Sequence, residues 1–137
     1  MIKVGTSRVD ITPPIGMPHA NWGSSVHQVA EGIDMPMYCY AMYLESESSK
    51  NKVVVLDFDL CIIDDEIDTM IRDSVVSSID IPRENIRINV SHTHAGPPYG
   101  RDDSSGGGWI TEGVELINPY YDSFPEKISK AIDEAVV

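Results

Sequence analysis

The sequence predicts a mixed α/β fold, a sheet flanked by helices, on three observations. Four runs of β type lie at 2–11, 37–44, 53–58 and 86–90. Two amphipathic helical stretches follow Asp64 and Ser123, one of them lying between β runs. The last helix then calls for a further strand, so the 137 residues read as a single domain or fragment, 1–137, ending as if a longer protein had been cut.

The first run, Ile2 to Ile11, alternates loosely and is stopped by Thr12-Pro13-Pro14-Ile15-Gly16, where two prolines remove ladder donors. His19 to Asp34 shows neither helical nor strand periodicity and reads as a long loop. Met37 to Leu44 and Val53 to Phe58 are apolar and β-branched, and the polar Glu45 to Asn51 between them predicts a hairpin. Asp64-Asp65-Glu66 places acids at a helix N-terminus, after which Ile67, Met70, Ile71, Val75 and Ile79 share one face. Pro82 closes that connection, and Ile86 to Val90 alternates with Arg87 and Asn89 as a strand with one buried face. Gly96 to Gly113 is rich in turns. Ser123 and Glu126 have capping-box spacing and start a final helix with Ile128, Ala131, Ile132, Ala135 and Val136 along one face. That helix has no cap after Val137, which predicts an exposed apolar face and self-association through it.

Ten Lys and Arg against twenty-two Asp and Glu leave a formal charge of -12, which argues against nucleic acid or an anionic membrane as partner. Hydrophobic residues make up 42%, enough to build one core. No run approaches the ~18 apolar residues of a spanning helix, so no transmembrane segment is expected. The opening Met1-Ile2-Lys3-Val4-Gly5-Thr6 is not a secretory signal, which predicts a cytoplasmic protein or an already processed secreted one. Cys39 and Cys61 permit one disulfide, but each falls in an apolar strand-like run and reads as a buried free thiol.

His92 and His94 carry the strongest chemical signal. In an extended segment, residues two apart point the same way, so a His-x-His just past a strand end can bring two imidazoles to one divalent ion. The same pair is also readable as ordinary polar loop histidines. Asp57 and Asp59 repeat the spacing near the end of the third strand; they could hold a hard cation or orient a metal-bound His, or simply cap the strand. His19 and His27 read as solvated loop residues, while Trp22 and Trp109 suggest a pocket rim or ordinary loop packing. Nucleotide-binding glycine loops and a nucleophile elbow are absent. A metallo-β-lactamase-type site would want Asp and His soon after the pair, where Ala95-Gly96-Pro97-Pro98 stand, and a TIM-barrel amidohydrolase needs about 250 residues.

Four segments together resemble the neutral/alkaline, non-lysosomal ceramidases, in the N-terminal part of their catalytic domain. They are Val9-Asp10-Ile11-Thr12-Pro13-Pro14-Ile15-Gly16, Gly32-Ile33 through Pro36-Met37-Tyr38, Leu56-Asp57-Phe58-Asp59-Leu60, and Ser91-His92-Thr93-His94-Ala95-Gly96-Pro97. The resemblance implies a zinc-dependent hydrolase of an N-acyl amide, in a ceramide-like lipid or a small N-acyl amine. It implies that His92 is a zinc ligand and that His94 stands beside the metal as ligand or catalytic contact to the amide. Asp59 matches an acidic position of structural role. Asn21, Trp22 and Gly96 fall where the family has its pocket rim, although Asn21-Trp22-Gly23 and Asp34-Met35 depart from the usual residues there. The family's remaining ligands, another His, a Glu and a Tyr, lie beyond the matched region, so zinc would be only partly held and the chain alone inactive. The rivals are a non-catalytic binding or assembly module of the same fold and a metal-dependent phosphoesterase using Asp57 and Asp59.

Overall fold

The computed structural model describes residues 1–19, 26–101 and 110–136. Four strands form one mixed sheet in the order β1 (Ile2–Asp10), β2 (Tyr38–Ser46), β3 (Lys52–Phe58), β4 (Ile86–Val90). The first three form an antiparallel meander, and β4 joins β3 in parallel. The parallel step needs a crossover, and α1 (Asp65–Ser78) supplies it. Two further helices follow, α2 (Ile117–Asp122) and α3 (Phe124–Ala135).

Strand alternation sorts the sheet into a covered and an uncovered face. Gly5, Tyr43, Val54 and Ile86 sit in one cross-strand row, Ser7, Ala41, Leu56 and Ile88 in the next, and Val9, Cys39, Phe58 and Val90 in the third. These rows face the helices. Gly5, Ser7 and Ala41 are small where α3 crosses, and the Ser7 hydroxyl donates to the Ala131 carbonyl at 2.6 Å, a contact only a close helix permits. Phe124, Ile128, Ala131, Ile132 and Ala135 of α3 are buried, and Phe124 stacks on Phe58 with ring centroids 6.1 Å apart. Tyr40, Met42 and Val53 lie on the opposite face and are exposed, with no described element over them.

The start of α1 is set by chemistry visible in the sequence. Asp64 caps it, its carboxylate accepting from the Ile67 N–H at 2.8 Å, with Asp65, Glu66 and Asp68 in the first turn against the helix dipole. Arg72 pairs with Asp68 at 2.7 Å and donates to the Ile86 carbonyl at 2.8 Å, fastening α1 to the first residue of β4.

Two expectations are corrected here. Ser123 is not the N-cap of a capping box: it has helical backbone angles, makes no side-chain cap, and donates its hydroxyl to the Tyr120 carbonyl at 2.6 Å. It is the joint between α2, which the periodicity did not reveal, and α3. The apolar face of α3 is likewise not exposed for self-association, because it packs on β1, β2 and α1 within the same chain. Cys39 and Cys61 are both buried free thiols.

Ile128 is fully buried between α3 and the sheet. Ile128→Ala is expected to lower unfolding free energy by about 2–5 kcal/mol, read from the urea midpoint at unchanged slope. Asp10 titrates with a sign that can be checked. Hydrogen bonds from Thr12 hold its carboxyl below the ordinary 3.8, so its contribution is present above that pH and lost as pH falls through the folded value. Asp10→Asn should therefore show a shallower acid-unfolding limb below pH 3.8 than the parent; identical limbs would contradict this.

Candidate metal centre

Both strands of the parallel pair run in the same direction, so the residues leaving their carboxyl ends emerge side by side. The Ser91 N–H donates to the Phe58 carbonyl at 2.9 Å and extends the ladder one rung past β4. Cys61, just beyond β3, then meets His92, just beyond β4. The His92 Nδ1 lies 2.8 Å from the Cys61 carbonyl oxygen and 3.5 Å from its sulfur. A carbonyl only accepts, so Nδ1 carries the hydrogen and the Nε2 lone pair is left for another partner.

His92 and His94 do come together, with ring centroids 5.0 Å apart and planes at 83°. Strand alternation is not the cause. His92 has φ 57°, in the left-handed region, so the segment turns sharply there instead of continuing extended. Strained backbone of this kind costs of order 1–3 kcal/mol and persists where the surroundings enforce it; here the ladder rung at Ser91 and the Nδ1–carbonyl bond do so. One ligand atom from each of Cys61, His92 and His94 lies within 4.8 Å of the others. Cys61 is buried on the protein side, and both histidines are exposed. Burial pushes the Cys61 thiol above its ordinary value, and raises the Tyr99 phenol, which also feels the Cys61 sulfur. Two imidazoles and one thiol are the N and S donors that zinc takes, so the residues present fit that ion.

Sequence reasoning missed Cys61 because it placed the residue inside a strand run. β3 ends at Phe58, and the signal that would have found it is the β3–α1–β4 crossover, which predicts that residues just past the two strands become neighbours.

The acidic pair separates. The Asp59 carboxylate accepts from the Tyr38 N–H at 2.9 Å, while the Asp59 N–H donates to the Tyr38 carbonyl at 2.9 Å, tying the end of β3 to the start of β2. Asp57 is exposed on the uncovered face beside Arg8 and Tyr40. Neither belongs to the converging donor group. Gly96 lines a cleft of about 590 Å³ adjoining the histidine loop, within the size range of small-ligand pockets. A side chain at Gly96 would meet the Met37 methyl at 2.9 Å. Met17, Val29 and Met37 line the cleft, as do Glu31, Asp34 and Asp59; His19 and His27 also reach it. The rim expected at Asn21 and Trp22 lies outside the described residues, as does Trp109.

Comparison with solved structures finds the same fold in ceramidases. The crystal structure of neutral ceramidase from Pseudomonas aeruginosa matches with a TM-score of 0.75 and 21% identity, over 98% of this chain and 21% of that one. A ceramidase complexed with C2 matches with a TM-score of 0.74 and 20% identity over the same shares. The chain thus spans about a fifth of the length of the ceramidases it matches. No family model matches the chain, and no curated protein does.

Removing the Asp59 carboxylate orphans a half-buried N–H at Tyr38. Asp59→Ala should cost about 1 kcal/mol of unfolding free energy in denaturant titration; a variant as stable as the parent would show that this tie carries nothing.

Proposed function

We propose that the chain is the N-terminal portion of a zinc-dependent amidohydrolase of ceramidase type, acting on the N-acyl amide of a ceramide-like lipid or small N-acyl amine. The observation that carries this reading is an exposed imidazole pair, one member with its tautomer fixed, at the carboxyl ends of a parallel strand pair in a ceramidase-like fold. His92 is the residue assigned to hold the ion, since its Nδ1–H is engaged and its Nε2 lone pair is free to donate. Zinc, when bound, supplies Lewis-acid polarisation of an amide carbonyl and activation of water.

The remaining work falls to side chains of this chain. His94 faces the reacting amide, where an imidazole can pass a proton to or from the reacting group. The apolar part of the adjoining cleft takes up the acyl portion of the substrate. Its carboxylates, with the charge of -12 overall, disfavour an anionic head group. Asp59 holds the cleft wall by tying Tyr38 and makes no contact with the ion. The phosphoesterase alternative has less support, because the donors that converge include neither Asp57 nor Asp59. Among the described residues no helix is long and apolar enough to cross a membrane.

Zinc titration by calorimetry tests the metal assignment: the chain should bind one zinc weakly, as a partial ligand set does, and His92→Ala should abolish that binding. Equal binding by His92→Ala, or none by the parent, would overturn it. Given zinc and an N-acylsphingosine, the 137-residue chain by itself should release no fatty acid, because one fifth of the ceramidase fold leaves the amide unenclosed. Turnover by the purified chain would contradict that.

A further inference from the structure

We propose that the cleft beside the histidine loop selects an N-acyl amine whose amine portion carries a second, protonated nitrogen, with the acyl chain on an apolar floor and the ammonium at an acidic rim. The inference rests on the amidohydrolase reading and narrows its substrate class to cationic amides. Its first support is the division of the cleft into two kinds of surface. Met17, Val29 and Met37 line it, both methionines being buried, and thioether side chains offer an aliphatic chain an adaptable floor. Glu31 and Asp34 also line it and are exposed, Asp59 lines it between them in burial, and no Lys or Arg lines it among the described residues. Carboxylates bordering an apolar cleft, with no cation to answer them, complement a ligand that joins a hydrocarbon chain to a positive charge.

The second support is that the acidic segment is held in place with its charges unspent. The Gly16 N–H donates to the Ala30 carbonyl at 2.8 Å and the Ala30 N–H to the Met17 carbonyl at 2.9 Å, which pins one end. The Met37 N–H donates to the Thr12 hydroxyl at 2.9 Å and the Ile11 N–H to the Met37 carbonyl at 2.9 Å, which pins the other. Residues 31–36 run between these ties, so their carboxylates are presented before a ligand arrives. Asp34 has no hydrogen-bond or ion-pair partner among the described residues. Glu31 meets the His27 ring at 3.5 Å, and an ordinary imidazole is neutral at about pH 8. Thr93, Ala95 and Gly96 carry the cleft up to the histidines, so an amide held there has the floor and the rim within reach of its two flanks.

Methionine-methyl carbon-13 spectra of the whole chain at about pH 8, recorded with a chelator and no zinc, test this apart from the metal assignment. Met17, Met35 and Met37 line the cleft, and Met1, Met42 and Met70 do not. The probes are the dodecanoyl amides of diaminobutane, aminobutanol and aminobutanoic acid, each below its micelle concentration, which differ only in a cationic, neutral or anionic end. The cationic probe should shift the cleft methyls saturably, leave the others in place, and bind more tightly than the neutral probe, with the anionic probe weakest. Added salt should close the gap between cationic and neutral probes. Glu31→Gln combined with Asp34→Asn should weaken the cationic probe by up to about fivefold per carboxylate and leave the neutral probe unchanged. Equal affinity for the cationic and neutral probes, or a preference that survives high salt or the double variant, overturns the charge selection; the salt series in the parent decides this even if the double variant fails to fold. Equal shifts at Met1, Met42 and Met70, or no saturable shift with any probe, overturn the cleft as the site. Each of these failures leaves the zinc reading, tested by calorimetry, where it was.

Discussion

The hydrogen bond from the Ser91 N–H to the Phe58 carbonyl, at 2.9 Å, is the last rung of the β3–β4 ladder, and the candidate site hangs from it. Beyond that rung the two chains diverge, β3 toward Cys61 and α1, β4 toward the histidines. The parallel pairing matters because it puts two carboxyl ends, rather than one, at the same edge of the sheet. One end contributes a carbonyl and a sulfur, the other two imidazoles. Arg72 on α1 fastens the opposite end of β4 through the Ile86 carbonyl, so both the register and the crossover are tied down.

From that edge the chain returns over the helices. Gly100 passes so close to Asp64 that a Cβ there would lie 1.8 Å from its carboxylate, which is why no larger residue fits beside the cap of α1. Arg101 then bridges Glu66 at 2.9 Å and Asp122 at 2.6 Å, and the Tyr121 hydroxyl donates to the Pro98 carbonyl. These contacts tie the loop after the histidines to α1 and α2, so the strain at His92 is backed from both sides. The other face of the sheet has no such backing among the described residues. Antiparallel sheets commonly leave one face to solvent, and three of these four strands form an antiparallel meander.

Much of this was legible in the residues. The four strands, the hairpin and α1 followed from alternation, turn composition and acidic capping, all local properties of a few consecutive side chains. The His92–His94 pair was legible as a motif, but its geometry was not: the left-handed turn at His92 is imposed by a rung to Phe58 and a carbonyl of Cys61, both distant in sequence. Cys61 escaped for the same reason, since its importance comes from a strand some thirty residues later. Ser123 has the right spacing for a cap, yet its backbone is already helical and its hydroxyl turns back to the Tyr120 carbonyl of α2, which a local motif cannot register. Nor could α3's apolar stripe say whether it met its own sheet or another molecule; Gly5, Ser7 and Ala41 decide it by making room.

Long-range proton–nitrogen correlation spectra of the histidine side chains test the central claim most directly, because they report which ring nitrogen of His92 carries hydrogen in the neutral form. The Cys61 carbonyl requires the Nδ1–H tautomer, with Nε2 unprotonated and shifting when zinc is added. Finding His92 as the Nε2–H tautomer, with zinc leaving both ring nitrogens where they were, would contradict the whole arrangement at the ends of β3 and β4.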